Sequence, residues 1–573
     1  MHCEGNVFLD MKKKLEYITV NEDLVEDVVK KFGVTELVAT ILVNRGIYKD
    51  EDVNIFLNPT RNNFYDPMTL PDIEKAILRI EKAIENQEKV IIYGDYDVDG
   101  ITSITVLKKF LEERGLKTDY YIPNRLDEGY GLNNDAIKKF AEEKYTLMIT
   151  VDCGISGNKE IDLANEFGIE TIITDHHEPL EVLPNAYAVI DPKREDSQYP
   201  FRHLAGVGVV FKLIQALSIH LKLDAKEYLK YLDIVCVGTI SDIVPLFGEN
   251  RVIAKLGMKL VEVTKNIGLR SLLRVSGYKE VSSTAISFGV APRINACGRI
   301  GKEEEALKLF LTNDIEEAKR ITDELNHFNK ERQEKEKEIL LDALAKIEKE
   351  NMKDNNTIVV AGEGWHHGVI GIVASKITEM YYKPSILLSI EDDIAKGSGR
   401  SIEGFDLHNA LCECNDLLEK YGGHEMAVGL SLPKDNLDKF NSKMQDICKD
   451  IDLEKLVPVI KIDKILTAKD LEIDNIKGLK ILEPFGEGNK NPNFVIKNAK
   501  ITSIRALSEG KHLKLAVNVD GKNMDVIGFQ MGELIDNFLI GDKVDIAGNI
   551  DINEFNGYEN IQMTLKNIMK SIN

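Results

Sequence analysis

No stretch of this 573-residue chain approaches the roughly 20 consecutive apolar residues that a membrane-spanning helix needs. The opening MHCEGNVFLDMKKK lacks the sustained apolar core of a secretion signal, so a cytoplasmic location is expected. Cysteine is scarce: seven residues, an odd number, none in a C-x-x-C pair, which argues against a disulfide framework and against a cysteine-based zinc site. A basic excess is missing too. The formal net charge of −22 weighs against capture of polyanions by a global positive field, so any nucleic-acid contact has to rely on local basic patches. The 43% hydrophobic content is ordinary for a globular protein, and the length allows several domains with large buried cores.

What the chain does have is a run of closely spaced acids. Tyr93-Gly-Asp-Tyr-Asp-Val-Asp-Gly100 follows the apolar Val90-Ile91-Ile92 and precedes a helix-like segment starting at Ile101, placing three carboxylates at the end of a predicted strand. Asp95, Asp97 and Asp99 are spaced by two, so in an extended turn they point the same way, and hard cations such as Mg²⁺ or Mn²⁺ would neutralise their repulsion. A βα alternation begins nearby. Strand candidates Val90–Tyr93, Tyr120–Ile122, Leu147–Val151, Thr171–Thr174 and Ala188–Ile190 alternate with helical patterns such as Asn134–Glu143 and Gly157–Phe167, which predicts an α/β fold with a doubly wound parallel sheet. Ligands gather at the carboxyl ends of such strands.

Further candidates fall at those ends. Asp152 follows Leu147–Val151; Asp175, His176 and His177 follow Thr171–Thr174; Asp242 follows the apolar, helix-like Leu232–Val237. Taken singly, each Asp reads equally as a cap or turn residue, and a His-His pair as a surface feature. Four such ends converging would suit a pair of divalent cations bridged by one carboxylate, an arrangement that hydrolyses phosphoesters.

The motifs YGDYDVDG, TVDCGIS, TDHHE and GTISDIVPL, in that order, resemble those of the DHH phosphoesterase family. Within it, APRINACGRIG (Ala291–Gly301) and the helix with Leu325, Asn326, Asn329 and Arg332 resemble the branch of single-strand-specific 5′→3′ DNA exonucleases that serve recombination and repair. The resemblance implies two Mn²⁺ or Mg²⁺ ions held by Asp97, Asp99, Asp152, His176 and Asp242, with Asp152 bridging, His177 facing the scissile phosphate and Asp95 supporting the loop. It also implies in-line hydrolysis of the outermost linkage to 5′-mononucleotides, action as a monomer, and contacts with single-strand-binding protein and a RecQ-type helicase. Alternatives are a nanoRNase or nucleotide phosphatase, a cyclic-dinucleotide phosphodiesterase, or a noncatalytic single-strand-binding protein.

Downstream, Asp314 to about Lys353 is a long charged helical pattern that would join two domains. Beyond it Gly364-Trp-His-His-Gly, Lys396-Gly-Ser-Gly-Arg-Ser401 and Tyr421-Gly-Gly-His-Glu425 combine close-approach glycines with Ser398, Arg400, His366 and His424 as a phosphate cradle. These resemble the DHH-associated domain, and the resemblance implies that Arg125 joins Ser398 and Arg400 on a terminal 5′-phosphate. Arg293, Asn295 and Arg299 would either contact the next phosphates or satisfy buried loop carbonyls. From about Val457, five short strand patterns and one helical interlude predict an OB-fold β-barrel, with Lys511, His512, Lys514, Phe529, Phe555 and Tyr558 available to a single strand. The expected organisation is an N-terminal helical segment (1–60), a catalytic domain (61–312), a connecting helix (313–353), a substrate-binding domain (354–455) and the barrel (456–573).

Overall fold

The structure, a computed structural model, describes residues 13–124, 128–129, 131–449, 457–555 and 557–571. Two units divide the chain: Glu51–Arg332 together with Leu482–Lys490, and a second that opens with strand β1 (Lys14–Tyr17) and comprises Met1–Asp50, Gln333–Ile481 and Asn491–Asn573.

In the first unit five apolar runs form parallel strands: β2 (Val90–Gly94), β3 (Thr118–Tyr121), β4 (Leu147–Val151), β5 (Glu170–Thr174) and β6 (Ala188–Ile190), in the order β3-β2-β4-β5-β6. β3 and β5 begin one or two residues before the apolar pattern suggests, because Thr118 and Glu170 continue the ladder as polar rungs. Alternate side chains feed two cores, which is why these strands are apolar throughout. Ile92, Ile149 and Ile172 pack with helices Val98–Glu112 and Gly206–His220, while Ile91, Met148 and Ile173 pack with Asn134–Glu142 and Asn158–Glu166. The sheet is therefore doubly wound. Strand order reverses about β2, whose last rung pairs Gly94 with Val151 of β4. Such a reversal opens a crevice at the strand ends.

Helix Leu232–Ser241 is apolar all round and buried along nearly its whole length, as a helix enclosed by others must be. Its Gly238 permits close contact: a Cβ there would lie 2.2 Å from Thr102 Oγ1 and 2.7 Å from Val207 Cγ1, on two neighbouring helices. Helix Gly206–His220 is anchored by a fully buried ion pair, Lys212 Nζ to Glu249 Oε1 at 2.8 Å. Lys212 also donates to Tyr65 O (2.7 Å), and Tyr199 OH donates to Glu249 Oε2. Segment Leu482–Lys490 returns to this unit from far along the chain. Leu246 N donates to Glu487 O (2.7 Å), and the buried Arg251 donates to Leu482 O (3.1 Å), Glu483 O (3.0 Å) and Phe56 O (2.8 Å).

Helix Ile315–Lys349, 35 residues long, carries the chain from the first unit into the second. There β7 (Ile358–Glu363), β8 (Ser385–Glu391), β9 (Ile394–Arg400), β10 (Lys420–His424) and β11 (Ala427–Pro433) form a sheet in the order β10-β11-β9-β8-β7, parallel only between β7 and β8. The N-terminal segment is more than helical: β1 pairs in parallel with β12 (Val459–Ile462). After β13 (Lys464–Leu466), strands β14 (Phe494–Leu507), β15 (His512–Val519), β16 (Lys522–Gly528), β17 (Lys543–Phe555) and β18 (Tyr558–Lys570) close into a barrel through β14–β17 pairing, with a 3₁₀ turn at Gly532–Asn537 before β17. This is the five-stranded OB architecture.

Burial pushes the Lys212 ammonium below its usual range even though Glu249 pulls it up, so the pair stands only while both members remain. Removing one leaves an uncompensated buried charge, and Lys212→Met is expected to lower unfolding free energy by about 3–5 kcal/mol in chemical denaturation.

Candidate active site

Each acid of the first motif sits where the backbone fixes it. Asp95 follows β2 directly. Asp97 caps helix Val98–Glu112, its Oδ1 accepting from Asp99 N (2.8 Å) and Gly100 N (3.1 Å). Asp99, in the first turn of that helix, turns the other way: its two oxygens accept from Gly206 N (2.6 Å) and Val207 N (2.8 Å), the opening amides of helix Gly206–His220. That N-terminus supplies orphan donors and positive dipole character to a side chain with no exposed surface. Gly206 is required by contact, since a Cβ there would lie 2.6 Å from Asp152 Oδ1.

Asp152 follows β4 with φ +58°, a left-handed conformation that aspartate tolerates better than most residues. Asp175, after β5, acts as a hub: Oδ1 accepts from His176 N (2.7 Å) and His177 N (3.1 Å) and pairs with His177 Nδ1 (2.7 Å), while Oδ2 accepts from Ile155 N (2.9 Å). It thus fixes the backbone at both histidines and orients the His177 imidazole. Asp242 ends helix Leu232–Ser241. His176 Nε2 lies 3.1 Å from Asp152 Oδ1, 3.6 Å from Asp242 Oδ2 and 3.9 Å from Asp99 Oδ2.

Three donor sets result, each with ligand atoms within 4.8 Å of one another: Asp95, Asp97 and Asp152; Asp99, His176 and Asp242; and Asp152, His176 and His177. Asp152 and His176 link the sets. All the residues the sequence proposes as metal or catalytic groups are thereby brought together, and Asp95, expected to support the loop, offers an oxygen alongside Asp97 and Asp152.

The electrostatics of this crowding are unfavourable for bare carboxylates. Burial, then the charge of Asp97, pushes Asp99 up to about 7. Burial followed by Asp99 raises both Asp152 and Asp242 well above the usual carboxylate range. Burial and the neighbouring His177 push His176 down to about 3, keeping it neutral with a lone pair to offer. Burial opposes the ionised form of Asp175, but its bond to His177 prevails and holds it low, and the same bond holds His177 above its ordinary value against burial. His176 Nε2 and Asp242 Oδ2 are buried without a hydrogen bond. Hard oxygen donors, one neutral imidazole and orphaned buried atoms fit divalent cations.

Other proposed contacts divide. Arg125 lies outside the described residues. Arg293 is engaged internally, donating to Gly289 O (2.5 Å), Val275 O (2.9 Å) and Asn326 Oδ1 (3.2 Å). Its neighbours Asn295 and Arg299 share helix Ala291–Arg299. In the second unit, Ser398 and Arg400 lie on one face of β9, with Arg400 donating to Ser398 Oγ at 2.9 Å. Both face helix His367–Tyr381, where a Cβ on Gly371 would meet Ser398 Oγ at 3.0 Å and Arg400 at 3.1 Å. His366 caps that helix, its Nδ1 accepting from Gly368 N (3.1 Å). His424 ends β10, and β11 residue Ala427 pairs with both His424 and Arg400. On the barrel, Phe529 and Tyr558 are exposed, the former in edge contact with His512 at 5.4 Å, while Lys514 pairs with Asp525 at 2.8 Å.

Two features escape sequence reasoning. The hub role of Asp175 depends on backbone direction, and the anchoring of Asp99 joins residues 107 and 108 positions apart. The only hint of the second is the small-residue run Leu204-Ala-Gly-Val-Gly208.

Comparison with known proteins agrees with this architecture. The family model for the DHH family N-terminal domain matches residues 89–239, the DHHA1 domain 354–450 and the RecJ OB domain 462–567. The chain is 38% identical to the single-stranded-DNA-specific exonuclease RecJ of Bacillus subtilis, over 97% of this chain and 71% of that one. It is 32% identical to the Escherichia coli RecJ, over 87% and 90%. The crystal structure of RecJ in complex with Mn²⁺ from Thermus thermophilus superposes with a TM-score of 0.85 at 29% identity, covering 98% of this chain and 80% of that one. With the DHH, DHHA1 and RecJ OB domains matched in turn and nearly its whole length aligned, the chain belongs to the RecJ family of single-stranded-DNA-specific exonucleases.

Proposed function

We propose that this protein removes 5′-mononucleotides from single-stranded DNA in the 5′→3′ direction, using Mn²⁺ or Mg²⁺ in the site built by Asp95, Asp97, Asp99, Asp152, His176 and Asp242. The observation that carries this reading is the sharing of Asp152 and His176 between adjoining donor sets. Two bound cations would lower the pKa of a water and polarise the phosphoryl oxygens. The protein's own groups do the rest. Asp99, fixed by two helix amides, and Asp97, fixed by its cap, hold their remaining donor surface toward the site at no further ordering cost. His176 stays neutral and ligating.

His177 has a different task. Its Nδ1 pairs with Asp175 Oδ1 at 2.7 Å, and its half-exposed side chain is suited to donate a hydrogen bond to a phosphoryl oxygen. Such a preorganised donor typically contributes about 10²–10³ in rate. Ser398, Arg400 and His366, beside the amides that open helix His367–Tyr381, are suited to a 5′-terminal phosphate, with Arg125 in the same role. The barrel and its match to the RecJ OB domain favour a polynucleotide over nanoRNA, mononucleotide or cyclic-dinucleotide substrates. Monomeric action, a cytoplasmic location and contacts with single-strand-binding protein and a RecQ-type helicase complete the proposal. Among the described residues no helix is long and apolar enough to cross a membrane.

Asp152→Asn tests the shared ligand while respecting the left-handed backbone, because asparagine tolerates that region. Release of mononucleotides from 5′-labelled single strands is expected to fall by about 10³ or more with circular dichroism unchanged, given how much of such chemistry the cations supply. Wild-type rates would refute the role. Arg400→Ala is expected to abolish the preference for 5′-phosphorylated over 5′-hydroxyl ends while leaving slow cleavage of both.

Chelation gives a test independent of activity. Asp99 at about 7 binds its proton more tightly folded than unfolded, where a carboxyl titrates near about 4. This stabilising contribution is therefore complete below about 4 and is lost as pH rises through about 7. The melting temperature of chelated protein is expected to drop between about pH 4 and 7, and that of Mn²⁺-loaded protein to drop far less.

A further inference from the structure

Ile243 breaks two rules at once. It occupies the position just after the C-cap Asp242 of helix Leu232–Ser241 and has φ +61°, the left-handed region that glycine fills at helix ends. A β-branched residue there is a genuine outlier. Its side chain is also 71% exposed, although its neighbour Val244 packs on the main core and Leu246 is buried. Nothing about the turn calls for an apolar group at this point, since glycine or asparagine would make the same bend without strain. The surroundings hold the strained loop in place: Asp242 N donates to Gly238 O (2.9 Å), Leu246 N to Glu487 O (2.7 Å), and Asn250 Nδ2 to Pro245 O (3.1 Å).

Strain kept at a site rim is a reason to look for function. Adjacent Asp242 lies 3.6 Å from His176 Nε2, so the exposed isoleucine is one residue along the chain from a member of the acidic cluster. Consecutive Cα atoms are only about 3.8 Å apart, so a phosphate held at that cluster through divalent cations would place its own nucleoside in the neighbourhood of Ile243. Among carboxylates, an apolar prong has no favourable partner in the phosphate and an obvious one in the face of a base or the apolar edge of a deoxyribose. In an unpaired strand those faces are open, whereas in a duplex they are buried in the stack.

We propose that Ile243 is a positioning residue that packs against the base of the nucleotide at the scissile linkage and so contributes to single-strand selectivity. This inference rests on the exonuclease reading above.

Ile243→Gly removes the prong and relieves the backbone, so the variant is expected to melt at or above the wild-type temperature. Wild type and variant are compared on two 5′-phosphorylated single strands, one with all bases and one with abasic residues at its first two positions. KM and kcat are read separately with Mn²⁺, and the strands are compared in kcat/KM. The variant is expected to lose about fivefold to tenfold on the all-base strand, the scale set by burying about half of one such side chain, and under twofold on the abasic strand. Equal losses on both strands, or no loss on either, would overturn the base contact. Failure of the wild type itself to degrade the all-base strand would instead remove the exonuclease reading.

Discussion

Crowding like charges in a buried space is the constraint around which the catalytic unit is organised. Asp99 and Asp152 lie almost wholly out of water, with Asp242 largely so, and burial together with the charge of Asp99 raises the proton affinity of the other two. A protein holds carboxylates in this way only if backbone geometry leaves them no escape. Here the restraint is the N-terminus of helix Gly206–His220, which grips both oxygens of Asp99, together with the glycine at its start that lets Asp152 approach. The rest of that helix is committed to the restraint, down to the Lys212–Glu249 pair that secures its middle. Stability elsewhere in the unit thus offsets the electrostatic cost at the strand ends.

Much of this is visible in the chain before it folds. Asp95, Asp97 and Asp99 are legible because acids spaced by two at a strand-to-helix junction have few structural uses together, and Asp152 and the His-His pair because each terminates an apolar strand. The parallel sheet follows from runs that are apolar on both faces, and the barrel from evenly spaced short strands. What could not be read is whatever depends on distant partners. Asp175 and Asp191 both follow strands and look alike in sequence, yet only Asp175 accepts from two successive histidine amides. Arg293 in APRINACGRIG reads equally as a phosphate ligand or as a partner for loop carbonyls, and only the folded chain shows its guanidinium satisfying carbonyls at Gly289 and Val275. The pairing of β1 with β12 spans more than 440 positions and has no local signature.

The acidic balance of the molecule also finds its place. Many acids sit in ion pairs along helices or in the cluster itself, as in Arg79 with Glu88 and Glu170, or Lys230 with Glu113 and Glu227. Net charge is then a poor guide to what the protein grips, because many of its acids are already engaged with partners inside the fold.

The returning segment Leu482–Lys490 has a further consequence for how the gene product can be divided. Arg251 is buried, stacks on Phe56 at 3.4 Å, and directs its outer nitrogens to the carbonyls of Leu482 and Glu483, the second of which also accepts from Lys255. A fragment ending at the connecting helix would strand that guanidinium in an apolar setting with two donors unanswered. The nuclease half is therefore not a linear module: its last piece is made after both domains that follow the connecting helix have begun, and a ribosome must have passed residue 490 before the half that cuts DNA can be complete.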